Sequence, residues 1–462
     1  MVLQNNDTIA AIATPPGIGG IGIIRISGPL ARSVLNTLFR PHRPHEDMQS
    51  RKLYYGTIVD RAGTVLDEIL AVFMQAPNTY TREDVVELQS HGSSLVLNAI
   101  LAEVLHHGVR LADPGEFTKR AFLAGRIDLT RAEAVIDLLK AKTDTGVQLA
   151  VGQLQGQLYQ RIEEVRNALV TILAVLEVAI DFPDDDVELV DREGILRQLA
   201  QEVEMPLAGL IAMADQGKII REGIHIVIAG RPNVGKSSLL NALLQEDRAL
   251  VTPVPGTTRD TIEEMISIRG IPARLVDTAG IRDDSDSVEE LGIRRARQKM
   301  READLVLFMV DSSVPLTAAD RELYNSIGSV DRIVVLNKID IADAEITASL
   351  AAAFPDAEKV NISARNHQGL QELQEIVFTR IMGEKFSLSE RDACAPNVRH
   401  RAVLKDTLAA SKRLRRALAE GVTVDLAAIE VQTALDCLGD IVGLTTTEDV
   451  LDKIFAEFCI GK

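Results

Sequence analysis

Residues 230–237 read Gly-Arg-Pro-Asn-Val-Gly-Lys-Ser, the spacing G-x-x-x-x-G-K-[ST]. In that spacing the backbone N–H groups of Asn233, Val234, Gly235 and Lys236 can cradle phosphates. The Lys236 ammonium can reach the terminal pair, Ser237 offers a hydroxyl to Mg²⁺, and Ser238 extends the cradle. Asp277-Thr278-Ala279-Gly280 supplies a carboxylate for the Mg²⁺ shell and a glycine amide that can sense a γ-phosphate. Asn337-Lys338-Ile339-Asp340 ends in a carboxylate able to accept from N1–H and the exocyclic amine of guanine. Adenine presents the opposite polarity there, and a buried Asp without a donor rejects it. Ser363-Ala364-Arg365 can turn a backbone amide toward guanine O6, and Thr258 in Gly256-Thr257-Thr258 offers Mg²⁺ a second hydroxyl. Five such elements in this order specify binding and hydrolysis of GTP.

Two parts of the catalytic set are not settled by the motifs. In Ras-like enzymes the residue after D-x-x-G is a Gln that orients the attacking water, and here it is Ile281. The acidic stretch behind it offers Asp283, Asp284, Asp286, Glu289 and Glu290, each of which also reads as a solvated charge. The motifs also contain no arginine finger, although phosphoryl transfer needs positive charge between the β- and γ-phosphates. Asn233 is either a ligand for a monovalent cation placed there or the cap of a turn.

Each motif must sit at the end of a strand. Apolar, β-branched runs predict strands at Ile224–Ala229, Ala273–Val276, Ile333–Leu336 and Lys359–Ile362, and the segment Lys236–Leu244 predicts a helix behind the phosphate loop. The predicted fold class is multidomain α+β and α/β, with a Ras-like α/β P-loop GTPase domain inserted in a helical domain. Residues 1–120 mix strand-like runs (Thr8–Thr14, Ile21–Ser27, Ile69–Met74) with a helical one (Val96–His107), as a compact α+β unit does. Residues 121–221 and 384–462 make a discontinuous helical domain, and 222–383 the GTPase domain. In the helical domain Leu158, Ile162, Val165, Leu169, Ile172 and Leu176 recur at spacings of four and three. Pro183 breaks that stripe, a helix resumes over Ile195–Ile220, and Ala402–Leu418, Val424–Val442 and Thr447–Phe458 are helical. Gly17-Ile18-Gly19-Gly20-Ile21-Gly22 matches G-x-G-x-x-G, but a strand follows where a dinucleotide site needs a helix N-terminus.

Of 462 residues, 50 are Lys or Arg and 67 Asp or Glu, a formal charge of −17. That excludes coating nucleic acid non-specifically and leaves room for a local basic face. The 3 cysteines, Cys394, Cys437 and Cys459, are too far apart for a metal or disulfide framework, which fits a reducing cytoplasm. No Lys or Arg precedes Arg25, so a secretory leader lacks its basic start, and Ala168–Leu176 is too short to span a bilayer.

The chain resembles the MnmE/TrmE family of tRNA-modification GTPases over its whole length. The resemblance rests on the GTPase motifs together with Ala13-Thr14-Pro15-Pro16-Gly17, Arg25-Ile26-Ser27-Gly28, Pro114-Gly115-Glu116-Phe117, Ala179-Ile180-Asp181-Phe182-Pro183 and Phe458-Cys459-Ile460-Gly461-Lys462. It implies GTP hydrolysis coupled to placing a carboxymethylaminomethyl or aminomethyl group on the wobble uridine of certain tRNAs. It further implies a homodimer working with a flavin- and NADH-dependent partner (GidA/MnmG), as a heterotetramer. The carbon unit comes from a reduced folate (methylene- or formyl-tetrahydrofolate) bound in an N-terminal tetrahydrofolate-binding domain. By the same resemblance K⁺ falls to Asn233, Thr252, Val254 and Thr257, with Pro253, Pro255 and Gly256 in the same nucleotide-binding loop, and Mg²⁺ falls to Ser237 and Thr258. The water-orienting acid becomes Glu289, catalytic together with Lys236. The folate contacts become Arg25, Glu87, Arg126, where some relatives have Lys, and Lys462.

Several readings stay open. A buried Glu87 suits a pterin edge, whereas Arg25 also reads as a paired surface arginine. Cys459 reads as a nucleophile or as a small buried apolar residue. Two basic clusters could touch RNA: Lys119, Arg120, Arg126 and Arg131, and the helical set Arg399, Arg401, Lys405, Lys412, Arg413, Arg415 and Arg416, which also reads as a solvated face. Rival functions are a ribosome-assembly GTPase without chemistry and a switch that changes partners with nucleotide.

Overall fold

The computed structural model describes residues 7–43, 47–181, 191–246, 263–277, 298–383 and 394–462. It divides into two compact units. One comprises 1–136, 154–203 and 406–462; the other comprises 137–153 and 204–405.

The first unit is built on a seven-stranded sheet in the order β3-β4-β5-β6-β2-β1-β7. Its strands are β1 (Ile9–Ile12), β2 (Gly19–Ser27), β3 (Phe39–Pro41), β4 (Leu53–Val59), β5 (Val65–Met74), β6 (Val85–Gly92) and β7 (Arg110–Leu111). Neighbours are antiparallel except the β1–β7 pair. The segment that matches G-x-G-x-x-G belongs to the start of β2, and no helix begins there. Alternation along β2 turns Ile24 and Ile26, both 0% exposed, to one face, where Val34, Leu35, Ile100 and Val104 of the helices Ala31–Leu38 and Ser94–Leu105 close over them. The same alternation sends Arg25 to the other face, which carries a smaller cluster of Ile9, Ala11, Ala112 and Phe117.

The helical part of this unit follows its apolar period. Gln157–Asp181 buries the whole stripe from Leu158 to Leu176 and packs along Val424–Val442. Leu451, Phe455 and Phe458 close on Leu129 and Ala132. The expected helix over Ile195–Ile220 is helical throughout but not uniform: Arg192–Gln198 and Met205–Glu222 flank a π-helical turn, Leu199–Glu204. Turns of that kind widen the ladder by one residue and recur at functional positions.

The second unit holds a six-stranded sheet in the order β13-β12-β11-β8-β10-β9. Its strands are β8 (Ile224–Ala229), β9 (Glu263–Ile268), β10 (Ile271–Asp277), β11 (Leu305–Asp311), β12 (Arg332–Asn337) and β13 (Glu358–Asn361). All pairings are parallel except β9–β10. Continuous apolar runs such as Leu305–Val310 mark strands buried on both faces. Ligands of such open sheets bind at the carboxyl ends of the strands, which is where β8, β12 and β13 deliver their motifs and where β10 ends at Asp277. The fold is thus mixed α/β, with an α+β N-terminal sheet, a helical portion and a doubly covered parallel sheet. No helix among the described residues is long and apolar enough to cross a membrane.

Candidate functional site

In the second unit the phosphate loop joins β8 to the helix Lys236–Glu246. Asn233 has φ +64°, a left-handed conformation that Asn tolerates. Gly235 has φ +102°, and a Cβ there would lie 2.3 Å from Asn337 Nδ2, so only glycine allows the approach. The approach is used: Asn337, 2% exposed, donates from Nδ2 to the Val234 carbonyl at 2.8 Å and accepts at Oδ1 from the Ala364 N–H at 3.0 Å. One carboxamide therefore bolts together the phosphate loop, the N-K-x-D segment and the Ser363-Ala364 turn. Of the backbone amides in the turn expected to meet guanine O6, that of Ala364 is engaged in this bolt.

Lys236, 6% exposed, donates from Nζ to the carbonyls of Gly230 (3.0 Å) and Arg231 (2.9 Å). The ammonium thus lies folded over the loop that the phosphates would fill. Lys338 (φ +67°) donates to Asp311 Oδ2 at 2.6 Å. Burial pushes the Asp311 carboxyl up, but the Lys338 ammonium and the Ser313 donors outweigh it and hold it below the usual range. Asp340 and Arg365 are exposed at the mouth, Ile339 hydrogen-bonds Ile362 through its amide, and Ser363 is buried. Ser237 and Ser238 are exposed on the first turn of the helix.

Sequence reading missed the tether of this loop. Arg231 Nε donates to Asp320 Oδ1 at 2.6 Å, and Asp320 is 0% exposed. Asp320 also closes a capping box with Thr317 at the start of the helix Ala318–Ser326. The only signal was an arginine inside the loop motif. Thr252, Pro253, Val254, Pro255, Gly256, Thr257, Thr258, Thr278, Ala279, Gly280 and Glu289 lie outside the described residues, and of Asp277 only the backbone, ending β10, is described. No group of three or more His, Cys, Asp or Glu side chains among the described residues could hold a metal. A Mg²⁺ ion here would take its ligands from hydroxyls and phosphates, which fits Ser237.

In the first unit, Arg25 on β2 stands opposite Glu87 on β6. Arg25 Nε and Nη2 both reach Glu87 Oε1, at 2.9 and 2.8 Å, with the side chains 22% and 19% exposed. Glu87, expected to be buried, is half-buried and already partnered by the very cation named beside it. The guanidinium lies 5.7 Å from the Phe117 ring centre and donates from Nη1 to the Gly461 carbonyl at 3.4 Å. Gly461 has φ +98°, and a Cβ there would sit 2.4 Å from the Ile12 carbonyl, so the segment can lie this close only as glycine. Gly115 donates to the Cys459 carbonyl at 3.4 Å, and Phe458 is 5% exposed. Cys459 itself is exposed, which removes its reading as a small buried residue, and Lys462 is half-buried. Arg126 is held on a neighbouring ring: its guanidinium lies 4.7 Å over Tyr80 and donates to the Tyr80 carbonyl at 3.0 Å. Tyr80 packs on the cluster that contains Phe117.

The basic clusters divide. Arg120, 5% exposed, is locked among Glu116, Glu83 and Asp7, so it cannot face RNA. Lys119 pairs with Asp452 (2.6 Å), Arg131 with Asp128 (3.3 Å), Arg401 with Asp215 (2.6 Å) and Arg413 with Glu430 (2.9 Å). Spacing along a helix shows which cations share a face, not which already have a carboxylate.

Two family models match the chain: "GTP-binding protein TrmE N-terminus" over residues 8–126 and "MnmE helical domain" over 129–459. A protein of Desulfotalea psychrophila named "tRNA modification GTPase MnmE" is 54% identical over 99% of both chains. One of the same name from Geotalea uraniireducens is 45% identical, again over 99% of both.

Proposed function

Because the chain belongs to the MnmE family of tRNA modification GTPases, we propose that it spends GTP hydrolysis on placing a carboxymethylaminomethyl or aminomethyl group on the wobble uridine of certain tRNAs. In this reading it works in the cytoplasm as a homodimer with a flavin- and NADH-dependent partner. The carbon unit comes from methylene- or formyl-tetrahydrofolate. The assignment divides the chain into a folate-binding domain (1–120), a helical domain (121–221 and 384–462) and a GTPase domain (222–383).

The observation that carries the folate part is the Arg25–Glu87 pair. A cation and a carboxylate stand side by side, half-buried, against Phe117 and the Gly461 carbonyl. That donor and acceptor set fits a pterin edge and a carboxylate tail, with Arg126 and Lys462 as further cations for the tail. When bound, the folate would supply the one-carbon unit. The chain's part is to hold it: Glu87 accepts from its ring edge, while Arg25 holds the Glu87 carboxylate in place and Phe117 offers a flat apolar wall. Calorimetry of the full chain with formyl-tetrahydrofolate should show binding, weakened about 10- to 100-fold in Arg25→Ala and in Glu87→Ala, as loss of a charge-assisted hydrogen bond implies. Wobble-uridine nucleosides from cells carrying Arg25→Ala should lack the modification. Binding absent from the parent, or as tight in both variants as in the parent, removes the folate assignment.

For hydrolysis, Lys236 leaves the Gly230 and Arg231 carbonyls for the phosphates, Asp340 accepts from the guanine edge, and Ser237 and Thr258 hold Mg²⁺. Asn233, Thr252, Val254 and Thr257 would hold K⁺, which would supply the positive charge that an arginine finger otherwise brings, and Glu289 would orient water. Turnover should be faster in KCl than in matched NaCl and should rise in specific activity with protein concentration. Glu289→Ala should lose turnover and keep GTP affinity, because water positioning acts in the transition state. Equal rates in both salts at every concentration contradict the K⁺ and dimer assignment.

A further inference from the structure

We propose that an open groove in the first unit, about 590 Å³ in volume, is a phosphate-binding contact for the RNA substrate. The proposal rests on the family reading that this chain acts on tRNA. One wall is the helix Val398–Ala419, whose residues Lys412, Arg415, Arg416 and Ala419 follow at three- and four-residue steps and so share a face. The other wall is the end of Arg192–Gln198 and the start of the π-helical turn, which contribute Leu196, Arg197 and Ala200. Four exposed cations from two separate elements therefore border one groove with a small apolar floor. Arg192, at the far end, approaches Gly421 closely enough that a Cβ there would meet its Nη1 at 3.3 Å.

Three features favour a phosphodiester backbone over an acidic protein. Three of the four cations are arginines, whose planar fork engages phosphate oxygens in pairs. The floor offers Leu196 and two alanines, without the aromatic anchor on which protein interfaces usually centre. The groove is also a local reversal in a chain of charge −17, so it offers a polyanion a place to bind despite that net charge. Arg413, on the same helix, points instead to Glu430 on Val424–Val442. It is an internal control of equal charge and similar position.

The test is fluorescence anisotropy of a labelled tRNA transcript with the full chain, from 50 to 200 mM KCl. The triple variant Arg197→Gln, Lys412→Gln, Arg416→Gln should bind about tenfold more weakly or worse. Its slope of log affinity against log salt should be shallower by about 2 to 3, one counterion per lost contact. Arg413→Gln should match the parent within about twofold. Ala200→Glu, which keeps every cation and puts a carboxylate on the floor, should reproduce the loss. Circular dichroism and GTP turnover report folding; if the triple variant is misfolded, Ala200→Glu and Arg416→Gln decide. Parent-like affinity and slope in these variants overturn the proposal. It is also overturned by a parent chain that hydrolyses GTP yet binds no tRNA at 50 mM KCl, an outcome that leaves the GTPase reading standing. Unchanged tRNA binding with lost binding of an acidic protein would assign the groove to a protein partner instead.

Discussion

Asp340→Asn is expected to lower kcat/KM for GTP by about 10³- to 10⁴-fold, because a site built to accept from guanine is then asked to donate to it. In the proposed function the carboxylate accepts from N1–H and from the exocyclic amine. An amide in its place sets one N–H against another, and one hydrogen bond becomes a clash of donors. Xanthine carries an oxygen where guanine carries that amine, so XTP should become the better substrate of the variant. The prediction depends on Asp340 being aimed by its neighbours. Asn337 is bolted to Val234 and Ala364, Lys338 to Asp311, and Ile339 to Ile362. With those contacts untouched, the fold of the unit should be unaltered. A variant that retains GTP turnover within tenfold of the parent, or gains nothing with XTP, would show that Asp340 does not read the base.

Glu116→Ala should destabilise the first unit by about 3–5 kcal/mol, the usual cost of leaving a buried cation without its counter-charge. Glu116 Oε1 accepts from Arg110 Nη2 at 2.6 Å and Arg120 Nη2 at 2.9 Å, and Oε2 accepts from the Asp113 N–H at 2.8 Å. Arg120 reaches on to Asp7 Oδ1 at 2.8 Å and Glu83 Oε1 at 3.0 Å. Burial alone would push the Glu116 and Asp7 carboxyls up; the Arg110 and Arg120 donors reverse that and hold both below 4.5 and 3.8. Groups depressed in the folded state stabilise it fully above their unfolded values and lose that contribution as pH falls. Amide exchange in residues 9–123 should therefore quicken as pH drops below 4.5, once the intrinsic pH dependence of exchange is removed. In Glu116→Ala exchange should be fast already at neutral pH, with a weaker acid dependence. Parent-like protection at pH 7 in the variant would mean that the network adds nothing.

What the residues announce in advance differs between the two units for a physical reason. Apolar, β-branched runs mark the strands of the parallel sheet, so Ile224–Ala229, interrupted only by the exposed His225, is found at its true limits, and the motifs that follow such strands are fixed by phosphate geometry. The helix Val424–Val442 is also found whole, because its apolar period is sustained. In the N-terminal sheet β3, β4 and β6 give no such run. Val85–Gly92 carries Glu87, Gln89 and His91 between its apolar positions, and its pairing with β2 joins residues 62 apart in the chain. No local pattern encodes that register. Partner choice was equally hidden: Arg120 looks like one more cation beside Lys119 until Glu116, Glu83 and Asp7 close on it. Arg197 entered no basic cluster because its neighbours in the groove come from a helix more than two hundred residues later. The π-helical turn beside it left no mark in the apolar period that predicted one continuous helix.

The hydrogen bond from Arg25 to the Gly461 carbonyl spans 436 residues, and this sets a timetable for synthesis. A ribosome adds roughly 5–20 residues per second, so the face that carries Arg25 and Glu87 waits roughly 20–90 s for the segment that packs against it. During that interval the whole of the second unit, residues 137–153 and 204–405, leaves the ribosome and can fold with its own parallel sheet. The nucleotide-binding end is thus ready before the Arg25 face is closed. A nascent chain can hold GTP well before it can hold anything against residues 458–462, and the order of emergence alone separates the completion of the two sites in time.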